Sequence, residues 1–459
     1  MLHPRLESSL KEIVSPVPPI RPPSLGQDLA AAPSLSPAAN VRAWVVLGVL
    51  GFVYVLNFLD RQLLAILAKP IQDALHVSDQ QLGLMGGLFF ASFYCFIAIP
   101  VGWLADRTSR VKVLSLGCAI WSAATVACGA AANYPQLVIA RMTVGFGEAG
   151  GVPPSYSIIS DYFPPQRRGT ALGIYNLGPP VGAALGIAFG ASIAAAYSWR
   201  RAFAILGAVG VLAAIAVLLI VREPPRGGLD SAAHRAKAGD ARFWQTLAMF
   251  FSRRALVLAA LGGGATQFIT YGLGNFATLF LMREKGMTLK EVAVYYALVV
   301  GIAMSGGIFV SGRLVDRFTR RWPQAYGLLP AASLALAVPF YVGFVWARSW
   351  TVALLFLIGP TFLNYFYLSS SVALVQEKVR ADQRAMSGAL LLLVMNFIGL
   401  GLGPTYVGAA SDYLRAGYPG HSLQIALYTL VPFYGVAIML FLWLGRVLRL
   451  ESRERGAAR

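Results

Sequence analysis

Charge is scarce in this chain. Of 459 residues only 13% are Asp, Glu, Lys or Arg, about half the share of a typical soluble domain, while 57% are apolar. Such a balance excludes a water-soluble globular protein. Cysteine is nearly absent too: Cys95, Cys118 and Cys128 all fall in apolar stretches, which leaves no disulfide framework and no metal-ligand spacing. His76, His234 and His421 stand in expected loops without a partner at ligand spacing, so no metal is expected. There is no Walker loop, and neither Gly-x-Ser-x-Gly nor His-Glu-x-x-His appears, so neither ATP-driven nor hydrolytic chemistry is expected and the chain does not read as an enzyme. Gly145-x-Gly147-x-x-Gly150 spells a dinucleotide fingerprint, but no strand precedes it and it lies inside an apolar helix, where it serves packing. No Asn-x-Ser/Thr acceptor occurs, which favours a bacterial over a glycosylated eukaryotic protein. No short apolar core with a cleavage site precedes the first span, so that span is expected to stay uncleaved.

What fills the chain instead is a series of apolar runs of membrane length, about 20 residues each. They number twelve, from 43–68 and 81–104 through 136–158 and 170–196 to 386–409 and 424–446, and leave no room for a soluble domain larger than a loop. The net charge of +18 belongs to topology rather than to nucleic acid. With the N-terminus inside, the inner segments hold 28 of the 38 basic residues; the outer ones hold eight (Lys69, Arg200, Arg201, Arg283, Lys285, Lys290, Arg348, Arg415), and Arg61 and Arg141 lie within spans. Both termini are therefore expected in the cytoplasm, with the bilayer as the chain's partner. Residues 1–40 hold eight prolines and no helical periodicity, and read as a disordered tail.

The chain repeats itself. After the second span comes Gly102-x-x-x-Asp106-Arg107-x-x-Arg110, and after the eighth comes Gly312-x-x-x-Asp316-Arg317-x-x-Arg320, an offset of 210 residues. Gln166-Arg167-Arg168 and Gln383-Arg384 echo each other after the fourth and tenth spans. Two six-helix halves follow, at 41–221 and 255–447, joined by a basic cytoplasmic linker at 222–254 and followed by a tail at 448–459. These paired loops, with Arg141-x-x-x-Gly145-x-Gly147-Glu148 in the fourth span, resemble the major facilitator superfamily over about 40–450. Asn57-Phe-Leu-Asp60-Arg61, Gly147-Glu148-Ala149 and Gly401-Leu-Gly-Pro404 followed by Ser411-Asp412 resemble its spinster-like branch. The resemblance implies an all-α polytopic membrane fold of twelve helices in two pseudo-symmetric bundles, and alternating access by their rocking.

A carboxylate at a helix end can accept hydrogen bonds from the N–H groups that open a neighbouring helix. The resemblance implies such a latch on the cytoplasmic side, with Gly102, Asp106, Arg107, Arg110, Gly312, Asp316 and Arg317 as its gate. In the fifth span Gly178-Pro179-Pro180-Val-Gly182-Ala-Ala-Leu-Gly186 combines a kink with small residues spaced by four, a pattern of close packing that also hints at export.

Four ionisable residues sit within spans: Asp60, Arg61, Arg141 and Glu148. Each, if unpaired at mid-bilayer, costs about 2.5–3.5 kcal/mol, so they must be paired, wet or both. Two crossed pairs, Asp60 with Arg141 and Arg61 with Glu148, make the cluster neutral. Burial disfavours a charged carboxylate and a neighbouring arginine favours it, so substrate exchange could tip protonation. Asp60 is expected to carry the coupling proton and Glu148 to titrate second or face substrate; the alternative is a permanent structural ion-pair network. Asn57, and from the seventh and tenth spans Thr266, Gln267, Tyr271, Asn275, Asn364, Tyr365 and Tyr367, are expected to line the cavity, a polar and aromatic set that suits an amphiphile. The resulting expectation is a proton-coupled, monomeric secondary transporter of a lysophospholipid or sphingoid lipid in a bacterial inner membrane, with no cofactor beyond the proton. A small organic solute or drug is the first alternative, and a non-transporting receptor the second.

Overall fold

The computed structural model describes residues 37–226, 243–380 and 383–457, so residues 1–36 of the expected tail and 227–242 of the linker lie outside the described residues. Arg42–Arg459 is a compact unit, and of the chain before it only the opening of the first helix is described. Among the described residues every regular element is helical.

Among the described residues eleven helices are long and apolar enough to cross a membrane. The fourth crossing is instead two shorter helices, Tyr134–Glu148 and Val152–Tyr162. The run Gly150-Gly151-Val152-Pro153-Pro154 explains the break, since proline cannot donate to a preceding turn but fits the first turn of a new helix. Counting that pair, the chain makes twelve crossings. Several start on side-chain caps: Ser78, Ser109, Asn133, Ser198, Thr288 and Ser349 each accept a backbone N–H of the first turn, worth about 1 kcal/mol apiece.

Further interruptions come in pairs. The second crossing breaks at Gly87, between Asp79–Gly86 and Leu88–Arg107, and the eighth opens with a π turn at Val292–Tyr296, 205 residues on (87 to 292). The fourth breaks after Glu148, and the tenth at Asn364 between Trp350–Leu363 and Phe366–Lys378, 215 residues on (149 to 364). The fifth breaks at Asn176 between Pro165–Tyr175 and Gly178–Ala196, and the eleventh carries a π segment at Phe397–Leu402, 221 residues on (176 to 397). These offsets bracket the spacing of the repeated loops.

Small residues set how closely the helices meet. A Cβ on Gly182 or Gly186 of the fifth crossing would stand 2.4 Å from the Val55 carbonyl oxygen or 2.6 Å from that of Leu59 in the first helix, Pro37–Ile66. Two segments differ from expectation. The 222–254 linker contains a helix, Phe243–Ser252, and the supposed tail at 448–459 continues the last helix, Val431–Ala457.

Candidate functional site

Arg61 and Asp60 are neighbours on the first helix and so point about 100° apart around it. Their partners, Arg141 and Glu148, are two helical turns apart on Tyr134–Glu148. Arg61 Nε donates to Glu148 Oε2 at 2.6 Å, and Arg141 Nη1 stands 4.0 Å from Asp60 Oδ2. The two pairs are unequal. The first is a short charge-assisted hydrogen bond; the second is an ion pair without one, and the Thr125 hydroxyl donates to Asp60 Oδ2 at 2.8 Å instead. That hydroxyl also lies 2.9 Å from the Trp121 carbonyl oxygen, so its single proton is shared between two acceptors. Asp60 Oδ1, Glu148 Oε1, Arg141 Nε and Asn57 Oδ1 are buried with no hydrogen-bond partner among the described residues.

Aromatic rings complete the surroundings. The Arg61 guanidinium lies over Tyr94 (4.7 Å), Phe58 (4.9 Å) and Phe90 (5.5 Å), while Arg141 faces Phe90 at 5.4 Å, so one ring serves both cations. Tyr271 of the seventh crossing, Arg254–Arg283, approaches the same guanidinium and interacts in turn with Tyr365 and Tyr367 of the tenth. Side-chain exposure is 11% for Arg61 against 0% for Glu148, 6% for Asp60 and 3% for Arg141, which makes Arg61 the accessible member. A tyrosine group on the first, fourth and fifth crossings adds Tyr54 stacked on Tyr175 at 4.4 Å and Tyr156, whose hydroxyl donates to Asn176 Oδ1 at 2.6 Å.

Other residues expected in the cavity are committed elsewhere. The Thr266 hydroxyl donates to the Gly262 carbonyl of its own helix, and Asn364 exchanges hydrogen bonds with the Tyr434 hydroxyl of the twelfth crossing. Asn275 donates to the Tyr271 carbonyl and packs its Oδ1 where a Cβ on Gly86 would stand. Gln267 lies against Gly399 of the π segment, with its Oε1 unpartnered among the described residues. Asn57 is buried beside the charge network.

The two ends of the bundle differ. At one, Asp79 is fully buried and receives Arg283 Nη1 and Nη2 at 2.8 Å each, Gln72 at 2.6 Å and the Ser411 hydroxyl at 2.6 Å, with Arg415 at 3.3 Å. Asp412 accepts the backbone N–H groups of Asp79 (3.3 Å) and Gln80 (2.8 Å), the start of Asp79–Gly86. The second and eleventh crossings meet backbone to backbone here: a Cβ on Gly83 would stand 2.4 Å from the Pro404 carbonyl oxygen, and one on Gly408 2.3 Å from that of Asp79. Where the second crossing breaks, the Leu88 N–H is taken by the Thr405 hydroxyl at 3.1 Å.

The other end carries the residues of the expected gate. Asp316, Arg317 and Arg107 are exposed, and a Cβ on Gly102 or Gly312 would meet nothing within 4 Å. Arg107 lies over Trp103 at 4.2 Å. Arg110 is buried but turned inward, to Asp161, Ser157, Glu223 and the Pro224 carbonyl, tying the third and fourth crossings to the segment after the sixth. The side chain of Asp106 lies outside the described residues. Carboxylates thus take the N–H groups that open a neighbouring helix at both ends, Asp412 those of Asp79 and Gln80 and Glu223 that of Val111.

Known proteins agree with this architecture. The sequence pattern of the Major Facilitator Superfamily matches residues 50–404. The chain is 33% identical over 402 residues to an MFS-type efflux pump of Mycolicibacterium smegmatis (strain ATCC 700084 / mc(2)155), covering 85% of this chain and 89% of that one. It is 27% identical to human protein spinster homolog 1, over 82% of this chain and 75% of the relative. Among solved structures it is similar to a bacterial homologue of the human lysosomal transporter spinster in an inward-facing, unoccupied conformation, with a TM-score of 0.81 and 30% identity over 90% of this chain and 98% of that one. The chain belongs to the major facilitator superfamily of membrane transporters and, within it, to the spinster-like branch.

Proposed function

We propose that the chain is a proton-coupled secondary transporter of an anionic amphiphile such as a lysophospholipid or sphingoid lipid phosphate, working by alternating access between bundles at 41–221 and 255–447. The observation that carries this reading is the accessible Arg61 guanidinium, hydrogen-bonded to a fully buried Glu148 and walled by Phe58, Tyr94 and Tyr271. Rings around a cation suit a molecule with an anionic head and an apolar body.

Charge balance supplies the coupling. Asp60, Arg61, Arg141 and Glu148 sum to zero. An anionic headgroup that takes Arg61 leaves Glu148 unpaired in a dry site, and one proton taken up by the carboxylates restores neutrality. Asp60, with the looser partner, is the carboxylate proposed to hold it. The protein acts as a monomer in a bacterial inner membrane with both termini in the cytoplasm. In that orientation the Asp79 latch closes the outer end, and the basic end faces inward.

The resemblance to an efflux pump supports a second cargo, a small organic solute, on the same machinery. The test is uptake of fluorescent lysolipid into proteoliposomes, with and without a pH gradient, beside Asp60→Asn. Gradient-driven flux that vanishes in the variant supports lipid cargo and carboxylate coupling together; competent protein that moves a drug-like cation and no lysolipid would refute the lipid reading.

A further inference from the structure

Between the first, third (Arg110–Ala130) and sixth (Trp199–Ile220) helices lies a cavity of about 10 Å³, lined by Asp60, Ser122, Thr125, Trp121, Gly207 and Gly210. A void of roughly 10–15 Å³ is what one water molecule needs, so this one holds a single molecule at most. Two of its lining residues leave a buried oxygen unsatisfied. Asp60 Oδ1 and Ser122 Oγ have no hydrogen-bond partner among the described residues, and the two residues are 4% and 1% exposed. A buried acceptor without a donor costs about 1–3 kcal/mol, more when charged, so two beside one void point to a missing ligand. The sixth helix makes the room: a Cβ on Gly210 would stand 2.2 Å from Ser122 Oγ, and one on Gly207 2.7 Å from the Ser122 carbonyl oxygen.

We propose that this cavity is the binding site of one water molecule that donates to Asp60 Oδ1 and bonds Ser122 Oγ, making Ser122 a positioning residue for the coupling carboxylate. A sodium ion is disfavoured by charge: the four ionisable residues already sum to zero, and a cation would leave an unbalanced charge in an apolar surround. The groups that face Asp60 are Arg61 on its own helix, Arg141 and Glu148 on the fourth crossing, and Thr125 and Cys128 on the third; the sixth helix lines the cavity with no ionisable group. Thr125 serves one carboxylate oxygen and the water serves the other. Asp60 then has a neutral donor on each carboxylate oxygen, with Arg141 at ion-pair distance only. The part of this inference that concerns coupling rests on the function proposed for Asp60; the water itself does not.

Two measurements test it. The first is a high-resolution map of the protein in nanodiscs, parent beside Ser122→Val, whose extra bulk fills the void, and Ser122→Ala, which removes only the hydroxyl. A density peak within hydrogen-bond distance of both oxygens in the parent, absent in Ser122→Val, is expected; an empty cavity in the parent overturns the proposal. The second is the pH profile of flux. Losing a neutral donor to a carboxylate favours its protonated form, so the midpoint is expected about one unit higher in Ser122→Val and higher by a smaller step in Ser122→Ala. An unmoved midpoint in either folded variant overturns the positioning role. Sodium-dependent thermal stability that choline does not reproduce, lost in Ser122→Val, would assign the site to a cation instead. If Asp60→Asn leaves the pH profile unchanged, the coupling reading fails, and the map still decides the water.

Discussion

Asp79→Asn should open the latched end. Asparagine keeps the shape and removes the charge, so the forked contact to Arg283 Nη1 and Nη2 loses its ionic character and one acceptor oxygen, either the one that serves Gln72 or the one that serves Ser411, becomes an NH2. A hydrogen bond between charged groups is worth about 1.5–3 kcal/mol net, and two are affected. Arg283 is 24% and Arg415 50% exposed, so both recover part of that from water. The remainder is about 2 kcal/mol, roughly 30-fold in the ratio of latched to unlatched protein. It acts on that ratio because the contacts join segments from both halves of the chain, positions 79 and 283 or 412, and are lost when the end parts. Spin labels at Ala74→Cys and Tyr413→Cys, both exposed at this end, would report the change as a second, longer distance in pulsed electron resonance. A distance distribution that stays within twofold of the parent's would refute the reasoning and would mean that glycine-mediated packing alone holds the end shut.

Packing should be separable from charge. Gly408→Ala places a Cβ 2.3 Å from the Asp79 carbonyl, where backbone on both sides cannot yield, and the same labels should show at least tenfold depletion of the latched state with every charge intact. Arg61→Lys should lower flux at least tenfold in protein that still elutes as a single folded species, because an ammonium cannot reproduce the planar contact with Glu148 while lying on the Tyr94 and Phe58 rings. Glu223 lies beyond the sixth crossing, where burial pushes its carboxyl up and the Val111 N–H, Arg110 and Ser109 together outweigh that, holding it below the ordinary glutamate range. A depressed carboxyl contributes stability above its unfolded value and loses it as pH falls through the folded one. The Tm deficit of Glu223→Gln at pH 7 should therefore shrink to nothing in a thermal-shift series carried below about pH 4.

The charged residues were legible in the sequence because the bilayer makes them expensive. Asp60, Arg61, Arg141 and Glu148 stand out among apolar neighbours and call for partners; neutrality permits crossed pairing without selecting it, and the structure has Arg61 with Glu148 at 2.6 Å and Arg141 with Asp60 at 4.0 Å. What surrounds them was not legible. Phe90, Tyr94 and Thr125 are ordinary members of apolar helices, and nothing in their spacing says that a ring lies between two guanidiniums or that a hydroxyl turns to a carboxylate. The Asp79 hub was missed for another reason. Asp79, Arg283 and Arg415 are charges at span ends, where charge is unexceptional, and only the tertiary fold shows that they converge from positions more than 200 residues apart. The gate motif reads clearly at both repeats, but sequence does not encode which end of a two-state machine is closed. For Thr266 and Asn364 the sequence shows polarity within a span but not the partners, the Gly262 carbonyl of the same helix and the Tyr434 hydroxyl.

The inequality of the two ion pairs gains meaning from where the fourth crossing breaks. Glu148 is the last residue of Tyr134–Glu148, and over the next three residues the hydrogen bonds change register, Ala149 still bonding Gly145 but Gly150 and Gly151 bonding Gly147 and Glu148, three back, before Val152–Tyr162 begins. Arg141 lies seven residues earlier, within the continuous helix. A tilt of the later segment therefore acts first on Glu148 and reaches Arg141 only through two intact turns. Asp60 and Arg61 share one unbroken helix and move as a unit. The tighter pair, Arg61 with Glu148, thus sits at the joint and includes the more accessible cation, while the looser pair joins two stretches of continuous helix, and each carboxylate keeps one unsatisfied oxygen. The stronger contact thus bridges the interrupted part of the fourth crossing and the weaker one joins continuous helix. Such a distribution lets a change at Arg61 alter the field at Asp60, its neighbour on one helix, without requiring that either helix bearing Asp60 and Arg141 be rebuilt.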